Sequence, residues 1–386
     1  MFKRHALYAL LLLAPWAQAA AINGQMESGL EVRLFDHNTA QAEENWSTYV
    51  EPQFNYDRDD DSFSGRFFAR WDNAEASRRH LDIRELSWLH VSDKMDLRLG
   101  ISRVFWGVTE SQHLVDIINQ TDLVENPDGE DKLGQPMVQW TYALPEGVIE
   151  IYALAGFRTR RFPGADEHFS PAPDITAQPA QFEASNGKER IDLALRYSIT
   201  LANFDFALSH FSGTNRTPIL SSDYSGPYYP LLEQTGLVGQ YVQGDWLWKL
   251  ELVSAYQQGQ RHSASTFGFE YTHVGVLASQ YDLGWLLEYS FDDRGTAGPA
   301  LLEHDWFAGW RLAFNDSGSS EALLGMIWDP QSEDASLSIE ASTRYTDNLK
   351  FSLEGRYYRS DADNLLSKQG YLRNDSYVQL QLAYYF

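Results

Sequence analysis

The chain alternates. Past its first twenty or so residues, apolar and polar side chains trade places at every second position, segment after segment. No later stretch stays apolar for the roughly 20 residues a spanning helix needs. Residues 375–386 show the pattern most clearly. Val378, Leu380, Leu382, Tyr384 and Phe386 fall on one face, and Tyr377, Gln379, Gln381, Ala383 and Tyr385 on the other. A strand built this way separates two environments. In a soluble sandwich the apolar face meets a core, and in a membrane barrel it meets lipid.

The polar faces decide between these. They carry charges of both signs, as in Lys350, Glu354 and Arg356, or Arg190, Asp192 and Arg196. Such groups need a solvated or internally paired surface. The apolar faces carry aromatics near segment ends, including Trp246, Trp248, Trp306, Trp310, Tyr281, Phe291, Tyr384 and Phe386. That placement is expected of interfacial girdles. The pattern therefore predicts an all-β, transmembrane, antiparallel up-and-down barrel.

About 18 strands are expected, with 16 as the alternative because a weak segment such as 321–328 is easily misread. They centre on Val32, Phe54, Phe67, Ile83, Leu99, Gln139, Ile151, Leu193, Phe206, Val238, Leu250, Phe269, Trp285, Trp310, Leu324, Ile339, Leu353 and Leu382. With the N-terminus in the periplasm, every even-numbered connection should be a short periplasmic turn. Those connections are 57–62, 92–94, 144–147, 198–202, 243–245, 273–279, 315–320 and 346–348, most of them carrying Gly, Pro, Asn, Asp or Ser. The long connections, 106–135, 158–187, 212–232, 292–304 and 360–374, are all odd-numbered and read as extracellular loops.

The N-terminus reads as a secretory signal. Lys3, Arg4 and His5 precede the apolar run 6–14, and Ala17-Gln18-Ala19 is a small-x-small cleavage pattern. Residues 1–21 are read as signal peptide and 22–386 as one barrel domain. The 54 acidic against 30 basic residues, a net charge of −24, argue against nucleic acid as a partner. With no cysteine there is no disulfide framework, thiolate metal site or cysteine nucleophile.

At the level of architecture the whole mature chain resembles the Gram-negative outer-membrane porin-type β-barrel family. The signal peptide, the strand–turn alternation and the terminal run 377–386 carry the resemblance. That run, with Tyr377, Leu380, Leu382, Tyr384 and Phe386, is similar to the C-terminal assembly signal of the class. The element Arg103-Val-Phe-Trp106-Gly107, followed by Asp116, Asn119 and Asp122, is similar to a motif in large porin-like families of uncertain function. The resemblance implies location in the cell outer membrane and insertion by the barrel assembly machinery. It also implies contact with outer-membrane lipid and lipopolysaccharide, and it allows a homotrimer.

In general porins the loop corresponding to 106–135 folds into the lumen. Thr109 and Gln112 have capping-box spacing for a short helix, with Leu114, Ile117 and Ile118 following at helical intervals. Asp116, Asp122, Glu125, Asp128, Glu130 and Asp131 then make the loop acidic. On the lumen side of the alternation stand Arg33, Arg66, Arg70, Arg84 and Arg98. An acidic loop across from a basic wall would set a transverse field that selects solutes. The arginines could equally pair with Glu31, Glu51, Asp82 and Asp96 on the wall.

The expected function is a channel for diffusion of small hydrophilic solutes, without enzymatic activity. A barrel importing or exporting one substrate, such as a polysaccharide or an organic acid, is the alternative. From another class comes an outer-membrane lipid hydrolase, for which His210 and Ser212, two apart near a strand end, are a pair without a visible third member. No cofactor is expected, and the 126–131 segment lacks the spacing of a full calcium loop.

Overall fold

A computed structural model describes residues 22–36, 41–221, 223–295, 302–332, 334–360 and 370–386. The expected signal peptide lies outside them. Eighteen antiparallel strands form one sheet. They are β1 (Ile22–Phe35), β2 (Glu44–Arg58), β3 (Asp61–Asp72), β4 (His80–Val91), β5 (Met95–Ser102), β6 (Gln135–Leu144), β7 (Gly147–Leu154), β8 (Asp192–Leu201) and β9 (Phe204–Thr214). The second half comprises β10 (Leu231–Gln243), β11 (Trp246–Gln257), β12 (Gln260–His273), β13 (Asp282–Asp292), β14 (Trp306–Ala313), β15 (Glu321–Trp328), β16 (Ala335–Thr346), β17 (Leu349–Arg359) and β18 (Tyr377–Tyr385). Each strand pairs with the next, and β1 closes the ring against β18 with Leu30 opposite Leu382. A closed ring leaves no sheet edge for water or another chain to satisfy.

Every expected strand centre falls inside one of these strands, and the weak segment at 321–328 is the genuine strand β15. The connections also separate by end. Turns at 59–60, 92–94, 145–146, 202–203, 244–245 and 347–348 close one end, while the segments 103–134, 155–191 and 215–230 leave from the other. The connection between β11 and β12, Gln258-Gly259, is a two-residue turn at the long-loop end, with positive φ at both positions.

The wall is inside-out relative to a soluble protein. On β18, Val378, Leu380 and Tyr384 are exposed, while Tyr377, Gln379 and Ala383 are buried. On β1, Leu30 and Leu34 are exposed while Glu31 and Arg33 are buried. Exposed tryptophans gather at both ends. Trp46, Trp71, Trp306 and Trp328 lie toward the long loops, and Trp246 and Trp285 toward the short turns. An apolar belt between aromatic rims is the surface a bilayer requires. Among the described residues no helix is long and apolar enough to cross a membrane, and the crossing elements are the strands.

One stretch of wall is irregular. The β2–β3 ladder pairs Val50 with Ala69, then resumes at Gln53 with Arg66, because Pro52 has no N–H to give. Opposite, β4 carries a bulge at Arg84, between the pairs Arg66–Glu85 and Phe67–Ile83. The β4–β5 ladder ends at Leu86–Ile101, so the upper half of β4 has no strand on that side. Gly134 fills the gap as the chain returns to β6. A Cβ there would stand 2.5 Å from the Arg84 carbonyl oxygen and 2.8 Å from that of Ile83. Gly134→Val is expected to lower barrel stability by about 1–3 kcal/mol, because backbone must move to admit it. The midpoint of urea unfolding in detergent micelles measures this.

Candidate functional site

The 103–134 segment leaves β5 and crosses the barrel interior. It is not a helix. Thr109 does bond to Gln112, but its hydroxyl donates to the Gln112 carbonyl, whereas a capping box would have it accept the Gln112 N–H. Glu251 on β11 accepts from the N–H of Val108 at 2.7 Å and from the Thr109 hydroxyl at 2.8 Å, with Val115 N–H at 3.3 Å. Glu288 on β13 accepts from the N–H of Glu110 and of Ser111, each at 2.8 Å. Two buried wall carboxylates thus hold the start of the segment through charge-assisted bonds to its backbone. The expected apolar contact does form. Leu114, Ile117 and Ile118 pack with Trp106 and Val115 on Met137, Tyr152, Phe211, Leu232 and Val253 of the wall.

The motif 103–122 scaffolds this crossing. Asp116 accepts the Trp106 N–H at 3.2 Å and pairs with Lys132 at 3.2 Å. Asn119 accepts the Val104 N–H and donates to the carbonyls of Ser102 and Leu133. Asp116 is buried and faces the loop's own backbone, so its placement differs from the expected lumen lining.

The loop's far end docks on the basic stripe. Arg70 reaches Glu125 at 2.9 Å and Glu31 at 3.0 Å, and Arg33 donates to the Glu125 carbonyl at 2.8 Å. His80 meets Glu125 at 2.6 Å. Arg78, at the foot of the β3–β4 loop and absent from the sequence expectations, bonds Glu31, Asp72 and the Glu125 carbonyl. Arg84 lies 3.8 Å from Asp122 and 3.6 Å from Asp131. Arg33, Arg70, Arg84, Asp122 and Glu125 are therefore buried in a joint between loop and wall, which corrects the expectation that they face each other across open lumen. Burial alone would raise Glu125, but Arg70, His80 and Arg78 outweigh it and hold its carboxylate well below the usual range.

Charges left facing the remaining lumen are different ones. A cavity of about 330 Å3 opens between the loop edge and strands β14 to β18, where Glu110 and Asp128 meet Arg311, Glu340, Lys350 and Glu354. Asp128 pairs with Arg356 at 3.1 Å, Glu110 with Arg311 at 2.6 Å, and Glu130 with His113 at 3.3 Å. Burial opposes the charge on His113, yet Glu130 and Glu251 hold it up at about 10, a fixed cation. On the other side stand Arg66, Arg98 and Arg103. Arg66 pairs with Glu51 at 3.6 Å, and Arg98 and Arg103 have no carboxylate within 4.0 Å among the described residues. Burial and the nearby Arg84 and Arg66 push the Arg103 guanidinium down.

Sequence reading found the loop, the stripe and the acids. Glu31 takes the place the alternative gave it, as a wall partner of Arg33 and Arg70, while Arg78, Arg103, Glu251, Glu288, Glu340, Glu354 and Arg356 were missed as working residues. The 126–131 segment has its charges committed to Arg356, His113 and Arg84. His210 and Ser212 do not bond each other. Ser212 donates to Glu233 at 2.6 Å, and His210 meets Thr235 at 3.0 Å. Of the C-terminal run, Tyr377 faces inward and donates to Glu354 at 2.6 Å, unlike the outward Leu380 and Tyr384.

A closed 18-strand antiparallel barrel with an inward loop after its fifth strand is the architecture of the outer-membrane porins. Among solved structures, the chain is similar to a BenF-like porin from Pseudomonas fluorescens Pf-5, at 12% identity and a TM-score of 0.54 over 96% of this chain and 98% of that one. It is similar to Pseudomonas aeruginosa OccK5 (OpdH), at 9% identity and 0.55 over 95% and 98%, and to Acinetobacter baumannii OccAB3, at 12% and 0.51 over 94% and 99%. At these identities the likeness establishes the fold. No family model and no curated protein matches the sequence.

Two expectations follow. Glu125→Gln leaves Arg70 and Arg78 short of a buried counter-charge, so stability should fall by about 3–5 kcal/mol. Thermal unfolding should move down, and single-channel records should become noisier as the loop loosens. Burial pushes Asp128 up to about 7 against the pull of Arg356. Its folded value lies above its unfolded value near 4, so it takes up a proton as pH falls through 7 and stabilises the fold on the acid side. Cation preference, read from reversal potentials, should fall between about pH 8 and pH 6, and Asp128→Asn should lack that step.

Proposed function

We propose that this chain is an outer-membrane channel through which small hydrophilic solutes diffuse. The observation that carries the reading is the loop itself. It is bonded across the lumen to opposite walls, narrows the passage, and leaves a charged cavity beside it. Its rims are acidic at Glu110, Glu340 and Asp128, and basic at Arg66, Arg98 and Arg103. Charge lining of this kind selects among solutes by electrostatics. A similar structure described as a BenF-like porin supports the reading.

The same proposal includes export through a cleaved signal at 1–21 and insertion by the assembly machinery through the 377–386 run. Contact with lipopolysaccharide and assembly as a trimer belong to it too. Catalysis is disfavoured, since His210 and Ser212 are not hydrogen-bonded to each other.

Planar-bilayer recording tests the reading. Purified protein should give discrete conductance steps, and the triple variant R66Q/R98Q/R103Q should shift the reversal potential toward cations. A silent barrel would sink the channel reading. Unchanged selectivity would remove these arginines from the mechanism.

A further inference from the structure

The irregular stretch of wall has an outer side. Where the ladders break at Pro52 and at the Arg84 bulge, a groove of about 550 Å3 opens on the lipid-facing surface. Val50, Phe67, Ala69, Leu81 and Ile83 line it, and its floor reaches the inward-facing Phe68 and Asp82. The groove therefore bites into the wall, where a regular sheet would present an even surface. Leu81, 76% exposed, stands at its edge with no strand on that side.

Directly above the groove, toward the long loops, lies a cationic and aromatic rim. Arg79 precedes Leu81 by two residues, about 7 Å along an extended chain. Its guanidinium donates to the carbonyls of Asp72 at 2.7 Å and Asn73 at 2.8 Å, so it is held in place. It lies 5.7 Å from the Trp71 ring, and Trp71 packs on Trp46 with centroids 5.0 Å apart. No carboxylate stands within 4.0 Å of it among the described residues. An exposed, anchored arginine without a counter-ion, set among interfacial tryptophans, fits a phosphate group at headgroup depth.

We propose that this face binds one anionic lipid of the outer leaflet, its phosphate on Arg79 and one acyl chain in the groove. The charge on Arg79 selects the head, and the break in the wall accepts the chain. The site lies outside the lumen, so solute passage does not depend on it. The proposal rests on the barrel standing in a bilayer, and the channel assay reports on that separately.

Native mass spectrometry of the full chain, released from nanodiscs of phosphatidylcholine doped with phosphatidylglycerol, tests it. One phosphatidylglycerol should stay with each barrel. Ala69→Trp, which fills the groove, and Arg79→Gln, which removes the charge, should each cut that retention at least tenfold with conductance unchanged. If Ala69→Trp does not assemble, Leu81→Glu reads the same contact. Equal retention of the two lipids by the unaltered chain, or undiminished retention by either variant, overturns the proposal.

Discussion

A closed barrel creates an interior that must be paid for in hydrogen bonds, and here one crossing segment meets most of that need. Residues 103–134 have few backbone bonds of their own, yet much of the segment is buried. Glu251 and Glu288 take the N–H groups of its outbound arm, and Arg33 and Arg78 take the Glu125 carbonyl of its return. Glu125, Glu31 and Asp72 together balance Arg33, Arg70 and Arg78, with His80 hydrogen-bonded to Glu125. A buried group of this kind adds little net stability over an apolar packing, because desolvation offsets most of the attraction. What it adds is position. Only one placement of the loop satisfies both ends, so the open passage has one location.

That location changes the electrostatics of the lumen. Asp122 and Glu125 of the loop and most of the arginine stripe neutralise each other within the joint, and these groups contribute little field to the open lumen. The field there comes from groups left over. Glu340 belongs to a strand far from the stripe in sequence, and Arg103 lies at the base of the loop itself. The net charge of −24 is a poor guide to such a passage. Paired charges cancel locally, and turns and outer loops hold much of the remaining excess.

The strands were readable because each one answers to two environments at once, which imposes a period-two pattern on the residues. Trp246 to Leu252 shows this, with Trp248 and Leu250 meeting lipid and Lys249 and Glu251 meeting the interior. The same pattern hides what Glu251 does. It occupies a lumen position like any other, and its partners Val108 and Thr109 lie more than 140 residues away. The helix expected after Thr109 failed for the same reason. Local spacing favoured it, but Glu251 takes the Val115 N–H, which a helix would give to the Ser111 carbonyl. Arg78 went unnoticed because it sits in a connection, outside any alternating run.

Pro52, the Arg84 bulge and Gly134 show how one local defect can serve both faces of a wall. A bulge adds a residue on one strand, so the chain bends and a side chain is re-aimed. Here Arg84 turns inward to Asp122 and Asp131, which ties the returning loop to the wall. The same shift leaves β4 without a neighbour above Leu86, and Gly134 is the residue small enough to close on its carbonyls. Outside, the step leaves a groove that a regular ladder would have filled. Inner docking and outer cavity thus follow from a single interruption, and a change that restored regular pairing there would be expected to disturb both.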